Sequence, residues 1–78
     1  RRGLTYRKMN RYQETLANLN KSLEINPNSA IILAERGVTY CMINMYKESL
    51  ADLNKSLEIC PNNAEVLKQR GITYRKMN

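Results

Sequence analysis

Histidine, tryptophan and phenylalanine are absent from this 78-residue chain, and proline and cysteine occur only twice each. Each scarcity closes a class of explanation. Without histidine, the commonest general base of enzymes is missing. No serine or cysteine stands where a neighbouring base would activate it as a nucleophile. The carboxylates, Glu14 and Glu48 among them, lie in helical text beside Lys or Arg and read as solvated surface. Cys41 and Cys60 are too few for a disulfide framework and lack the C-x-x-C spacing of a zinc site. Free thiols are expected, which points to a reducing, intracellular and cytoplasmic setting. No apolar run approaches the roughly 18 residues needed to cross a bilayer. The three glycines lie far apart in helical text and form no phosphate loop. Neither an enzyme nor a cofactor or metal site is expected.

What the chain does have is basic charge, a net +6. Its distribution is uneven. Residues 1–11 hold five Lys/Arg and no acid, residues 65–78 hold four and one acid, and residues 12–64 hold four against six Asp/Glu. Such patches attract nucleic acid, anionic lipid or an acidic peptide, or serve simply as solvated surface.

The chain also has repetition. Arg2-Gly3-Leu4-Thr5-Tyr6 returns as Arg36-Gly37-Val38-Thr39-Tyr40 and Arg70-Gly71-Ile72-Thr73-Tyr74, each copy 34 positions after the last. Leu19-Asn20-Lys21-Ser22-Leu23-Glu24-Ile25 returns as Leu53-Asn54-Lys55-Ser56-Leu57-Glu58-Ile59. A period this long marks stacked supersecondary units. The phase divides the chain into a partial repeat 1–29, a complete repeat 30–63 and a partial repeat 64–78, as expected of a slice from a longer array.

Within each unit the apolar residues keep helical spacing. Tyr46, Leu50, Leu53 and Leu57 form one stripe, and Tyr12, Leu16, Leu19 and Leu23 repeat it. Ala30 to Ile43 and Ala64 to Met77 read as further helices, and Arg2 to Met9 as a truncated one, giving five in all. Asn10, Asn44 and Asn78 follow the tyrosine-bearing helices and tolerate the left-handed conformation that ends a helix. Proline stops the other helices at Pro27 and Pro61, and Ser29 and Asn63 are placed to cap the next.

The second unit carries Leu33, Gly37, Tyr40, Ser49, Leu53, Ser56 and Pro61 in that order. The first supplies Gly3, Tyr6, Thr15, Leu19, Ser22 and Pro27, and the third Leu67, Gly71 and Tyr74. This pattern resembles the tetratricopeptide repeat. The resemblance implies an all-α fold, a right-handed superhelical solenoid of antiparallel helix-turn-helix units. Gly37 would let the paired helices approach, with Tyr40 and Leu53 filling the space beside the small Ser49 and Ser56. Ser and Thr stand where the family usually has Ala; their hydroxyls are expected to bond the carbonyl one turn back. Arg36 is expected to pair with Asp52 across the hairpin.

The resemblance further implies a protein-interaction scaffold whose first helices line a concave groove. The groove residues would be Arg7, Lys8, Ala34, Val38, Cys41, Met42, Lys68, Ile72, Arg75 and Lys76, with Leu4, Ile31, Glu35, Glu65 and Gln69 alongside. An apolar, methionine-lined centre with basic rims suits an acidic peptide or partner segment. The family's clamp for acidic C-termini needs Asn where this chain has Leu4, Val38 and Ile72, so that clamp is not expected. Two other readings stand beside the groove. RNA binding fits the charge, but tyrosine, the one aromatic present, belongs to the core stripe and leaves no stacking platform in the groove. Self-association fits a chain whose two ends share one phase of the repeat, through end-to-end stacking or helix exchange.

Overall fold

The computed structural model describes the backbone of residues 2–77 and the side chains of residues 11–77. It contains four helices: α1 (Arg2–Ile25), α2 (Ala30–Met42), α3 (Tyr46–Ile59) and α4 (Ala64–Met77). No strand occurs among the described residues.

The helix ends follow the sequence signals. Ser29 Oγ accepts the Ile32 N–H at 3.3 Å and caps α2. Asn63 Oδ1 accepts the N–H groups of Glu65 and Val66 at 3.1 and 3.3 Å and caps α4. Asn44 ends α2 with φ 67°, in the left-handed region. The Asn44 N–H then reaches the Cys41 carbonyl at 3.1 Å, and the Met45 N–H reaches that of Tyr40 at 2.9 Å.

The first copy departs from expectation. A turn at Asn10 and Arg11 was expected to separate two helices, but α1 runs unbroken from Arg2 to Ile25. Asn tolerates the left-handed region without requiring it, and a helix interior costs Asn only a few tenths of a kcal/mol, about 0.7 at most. At Asn44 the positive φ is held by α2, 13 residues long, lying along α3. Nothing in Asn10 itself forces the turn, and the backbone keeps the continuous helix.

α2 and α3 form the complete hairpin. Gly37 is its point of closest approach: a Cβ there would sit 2.8 Å from two Leu53 side-chain atoms and 3.2 Å from the Ser49 carbonyl oxygen. Ser49 and Ser56 are fully buried on the facing side of α3. Their hydroxyls do not bond one turn back as expected. Ser56 Oγ crosses to donate to the Ala30 carbonyl at 2.8 Å, and Ser49 Oγ lies 3.4 Å from Thr73 Oγ1 of α4. The hydroxyls that do bond one turn back are Thr39 to Glu35 O and Thr73 to Gln69 O, at 2.8 and 2.9 Å. Both serines lie where a crossing helix offers an acceptor at hand, so bending their own helix gains nothing.

α4 also packs on α3, where Leu53, Leu57 and Val66 form a core cluster with Ala34 of α2 against it. α1 packs on α2, and α2 also touches α4. Units are joined by a repeated clip. Arg36 Nη1 donates to Asn20 Oδ1 of α1 at 2.8 Å, and Arg70 Nη1 donates to Asn54 Oδ1 of α3 at 3.0 Å. One period apart, the two bonds show α2 seated on α1 as α4 is on α3. Arg36 also grips Asp52 with two parallel bonds, Nε to Oδ2 at 2.7 Å and Nη2 to Oδ1 at 2.8 Å, as expected. The Tyr40 ring lies 5.7 Å from the Arg36 guanidinium carbon. The bonds to Asp52 raise the Arg36 pKa above its ordinary value, against the opposing effect of burial.

Candidate functional site

An open cleft of about 450 Å³ is bounded by α1, α2 and α4. Ala34, Val38 and Met42 stand in a row along α2 at four-residue intervals, which puts them on one helix face. Leu53 and Val66 form part of its floor, Thr15 and Leu19 come from α1, and Glu35, Thr39, Glu65 and Gln69 complete the lining. The surface is mainly apolar and adaptable, since Met42 is 56% exposed and free to change rotamer. Its charged lining residues are Glu35 and Glu65, both acids.

Six of the expected groove residues thus come together: Ala34, Val38 and Met42, with Glu35, Glu65 and Gln69 alongside. Cys41 does not. It is buried between α2 and α4, its Sγ 3.4 Å from Thr73 Oγ1, so it belongs to the seam between units. One residue separates a lining position from a packed one, because a helix turns by about 100° per residue. Lys68 and Arg75 are exposed outside the cleft, and Ile72 is half-buried outside it. Lys76 borders a second, shallow hollow with Met45, Glu48 and Met77 at the α2–α3 turn. Arg7 and Lys8 lie outside the described side chains.

Sequence reasoning missed Thr15, Leu19, Thr39, Leu53 and Val66. Thr15, exposed, and Leu19, buried, border the cleft from α1. No signal in the sequence announced this. Val66 and Leu53 were visible as apolar helix residues, but not as the floor of a hollow.

One hairpin, α2–α3, closed at Gly37, and an arginine clip repeated one period apart define a helical-hairpin repeat protein. Two sequence models of the tetratricopeptide repeat match the chain, one over residues 1–29 and one over residues 18–51. The chain belongs to the tetratricopeptide repeat family. Repeats of this family generally mediate protein–protein interaction, and the family is typically a non-enzymatic scaffold. No curated protein matches the chain. No helix among the described residues is long and apolar enough to cross a membrane.

Proposed function

We propose that the chain is a protein-interaction module whose cleft takes one apolar side chain of a partner segment together with a flanking Lys or Arg. The observation that carries this reading is the shared lining: Ala34, Val38 and Met42 supply an apolar seat, with Glu35 and Glu65 beside it. An acidic partner was expected from the basic rims, but Lys68, Arg75 and Lys76 stand away from this seat. An acidic segment in the cleft would meet like charge, whereas a basic flank is complementary.

The test is fluorescence anisotropy with two short labelled peptides, each with a central Leu, one flanked by Arg and one by Glu. The Arg-flanked peptide is expected to bind more tightly. Met42→Lys should weaken it about tenfold or more, the effect of losing a central apolar contact and adding a repelling charge. Helicity should be unchanged, because Met42 is exposed. Tighter binding of the Glu-flanked peptide would move the site to the basic rim.

A further inference from the structure

The cleft carries acid at one end and meets a base beyond the other, and the packing of α4 on α2 fixes how far apart the two stand. Ala34 packs on the cluster that holds Val66, and Cys41 Sγ lies 3.4 Å from Thr73 Oγ1. Seven residues separate Ala34 from Cys41 on α2, and seven separate Val66 from Thr73 on α4. The two helices therefore run side by side in the same direction.

Glu65, Gln69, Ile72 and Lys76 recur along α4 at four- and three-residue intervals, which sets them on one face. Glu65 and Gln69 line the cleft, and Ile72 follows, half-buried. Lys76 is exposed and borders Asn44 and Met45, just past the end of α2. Its surroundings are thus set by α2, on the side of α4 turned away from Leu67 and Tyr74. The acids gather at the opposite end. Glu65 lies in the first turn of α4 and Glu35 in the first half of α2, both exposed. Lys68, one turn from Glu65, is not part of the lining. Glu65 and Lys76 each sit where the α4 dipole favours them, acid near the N-terminus and base near the C-terminus. Lys47 and Glu48 of α3 also border the hollow at Lys76 and offset one another, so Lys76 leaves that end basic. Between the two poles lie Val38 and Met42.

We infer that the cleft selects a partner segment carrying both signs of charge: a Lys or Arg at the acid pole, an apolar residue on Val38 and Met42, and an Asp or Glu at Lys76. This rests on the peptide reading above and sharpens it, since a segment with only a basic flank satisfies one pole of two. The axis of α4 rises about 16 Å over the eleven residues from Glu65 to Lys76. An extended chain covers that length in about five residues. The segment is therefore short and extended, with its two charges about five positions apart and the apolar anchor between them. Opposite charges placed next to each other, on one side of the anchor, cannot reach both poles.

The test is fluorescence anisotropy with three labelled peptides built around one Leu. The first has Arg on one side of the Leu and Ala on the other. The second replaces that Ala with Glu, about five positions from the Arg. The third has the composition of the second, with Arg and Glu adjacent on one side. The second peptide is expected to bind about two- to fivefold more tightly than either of the others, the effect of one exposed ion pair. That advantage should shrink as salt is raised. Lys76→Ala should erase it. Lys76→Glu should reverse it, so that a peptide with Lys in place of the Glu binds this variant more tightly than the second peptide does. Lys76 is exposed, so helicity followed by circular dichroism should not change in either variant. Equal binding of the second and third peptides overturns the inference, and so does an advantage that survives Lys76→Ala. Failure of all three peptides to bind removes the peptide reading and this inference with it. Binding of the first peptide with no gain in the second removes this inference alone.

Discussion

Gly37 and Gly71 occupy the same place in the same five-residue phrase, and their surroundings are opposite. Alanine at either position gains about 0.5–1 kcal/mol of helix propensity. At Gly71 the methyl enters open space, so Gly71→Ala should raise the melting temperature of the dilute chain by a few degrees. At Gly37 it strikes Leu53, which is fully buried and has nowhere to move. Overpacking costs about 1–3 kcal/mol and outweighs the gain, so Gly37→Ala should lower the melting temperature. Thermal melts of the two variants check this, and a shift in the same direction for both would refute the account. The sequence marked both glycines as contact points and could not tell them apart, because the difference lies in which helix stands opposite. Cys41 teaches the same lesson. Its spacing put it near the groove lining, but the side chain turns into the seam towards Thr73.

Asn10 and Asn44 make the corresponding pair among the helices. Both stand between two tyrosines, in Tyr-Arg-Lys-Met-Asn-Arg-Tyr and Tyr-Cys-Met-Ile-Asn-Met-Tyr, yet one lies inside α1 and the other ends α2. Asn10→Ala should therefore stabilise by a few tenths of a kcal/mol, about the difference in helix propensity. Asn44→Ala should destabilise by about 1–2 kcal/mol, since Ala resists the positive φ held there. Chemical denaturation of both variants is the measurement, and equal losses would show that α1 breaks at Asn10 in solution. Helix class, period, caps and the Gly37 crossing were all legible, because local chemistry dictates them. The course of α1 was not, because Asn permits a turn without requiring one. The cleft shows the same divide: its α2 wall, Ala34, Val38 and Met42, followed from the family resemblance, whereas Thr15 and Leu19 of α1 were legible only as parts of a helix.

The assembled molecule measures 40 × 33 × 17 Å, two helix layers thick in its narrowest direction. With so thin a core, the polar joints between hairpins weigh heavily. Arg36 is the chief of them, contacting Asn20, Asp52 and Tyr40 from its place in α2. Arg36→Ala would leave the Asp52 carboxylate, 8% exposed, without its cation. The expected loss is about 1–3 kcal/mol by urea denaturation, the cost of orphaning a buried charged acceptor. Asp52→Ala in the same chain should recover part of that loss. A change within about 0.5 kcal/mol, as for an ordinary surface substitution, would show the clip to be ornamental. A single guanidinium that holds the preceding helix and its own hairpin cannot release one without loosening the other. Fraying that begins at one edge therefore removes support from the adjoining unit, and melting spreads along the array as a front instead of striking each hairpin independently.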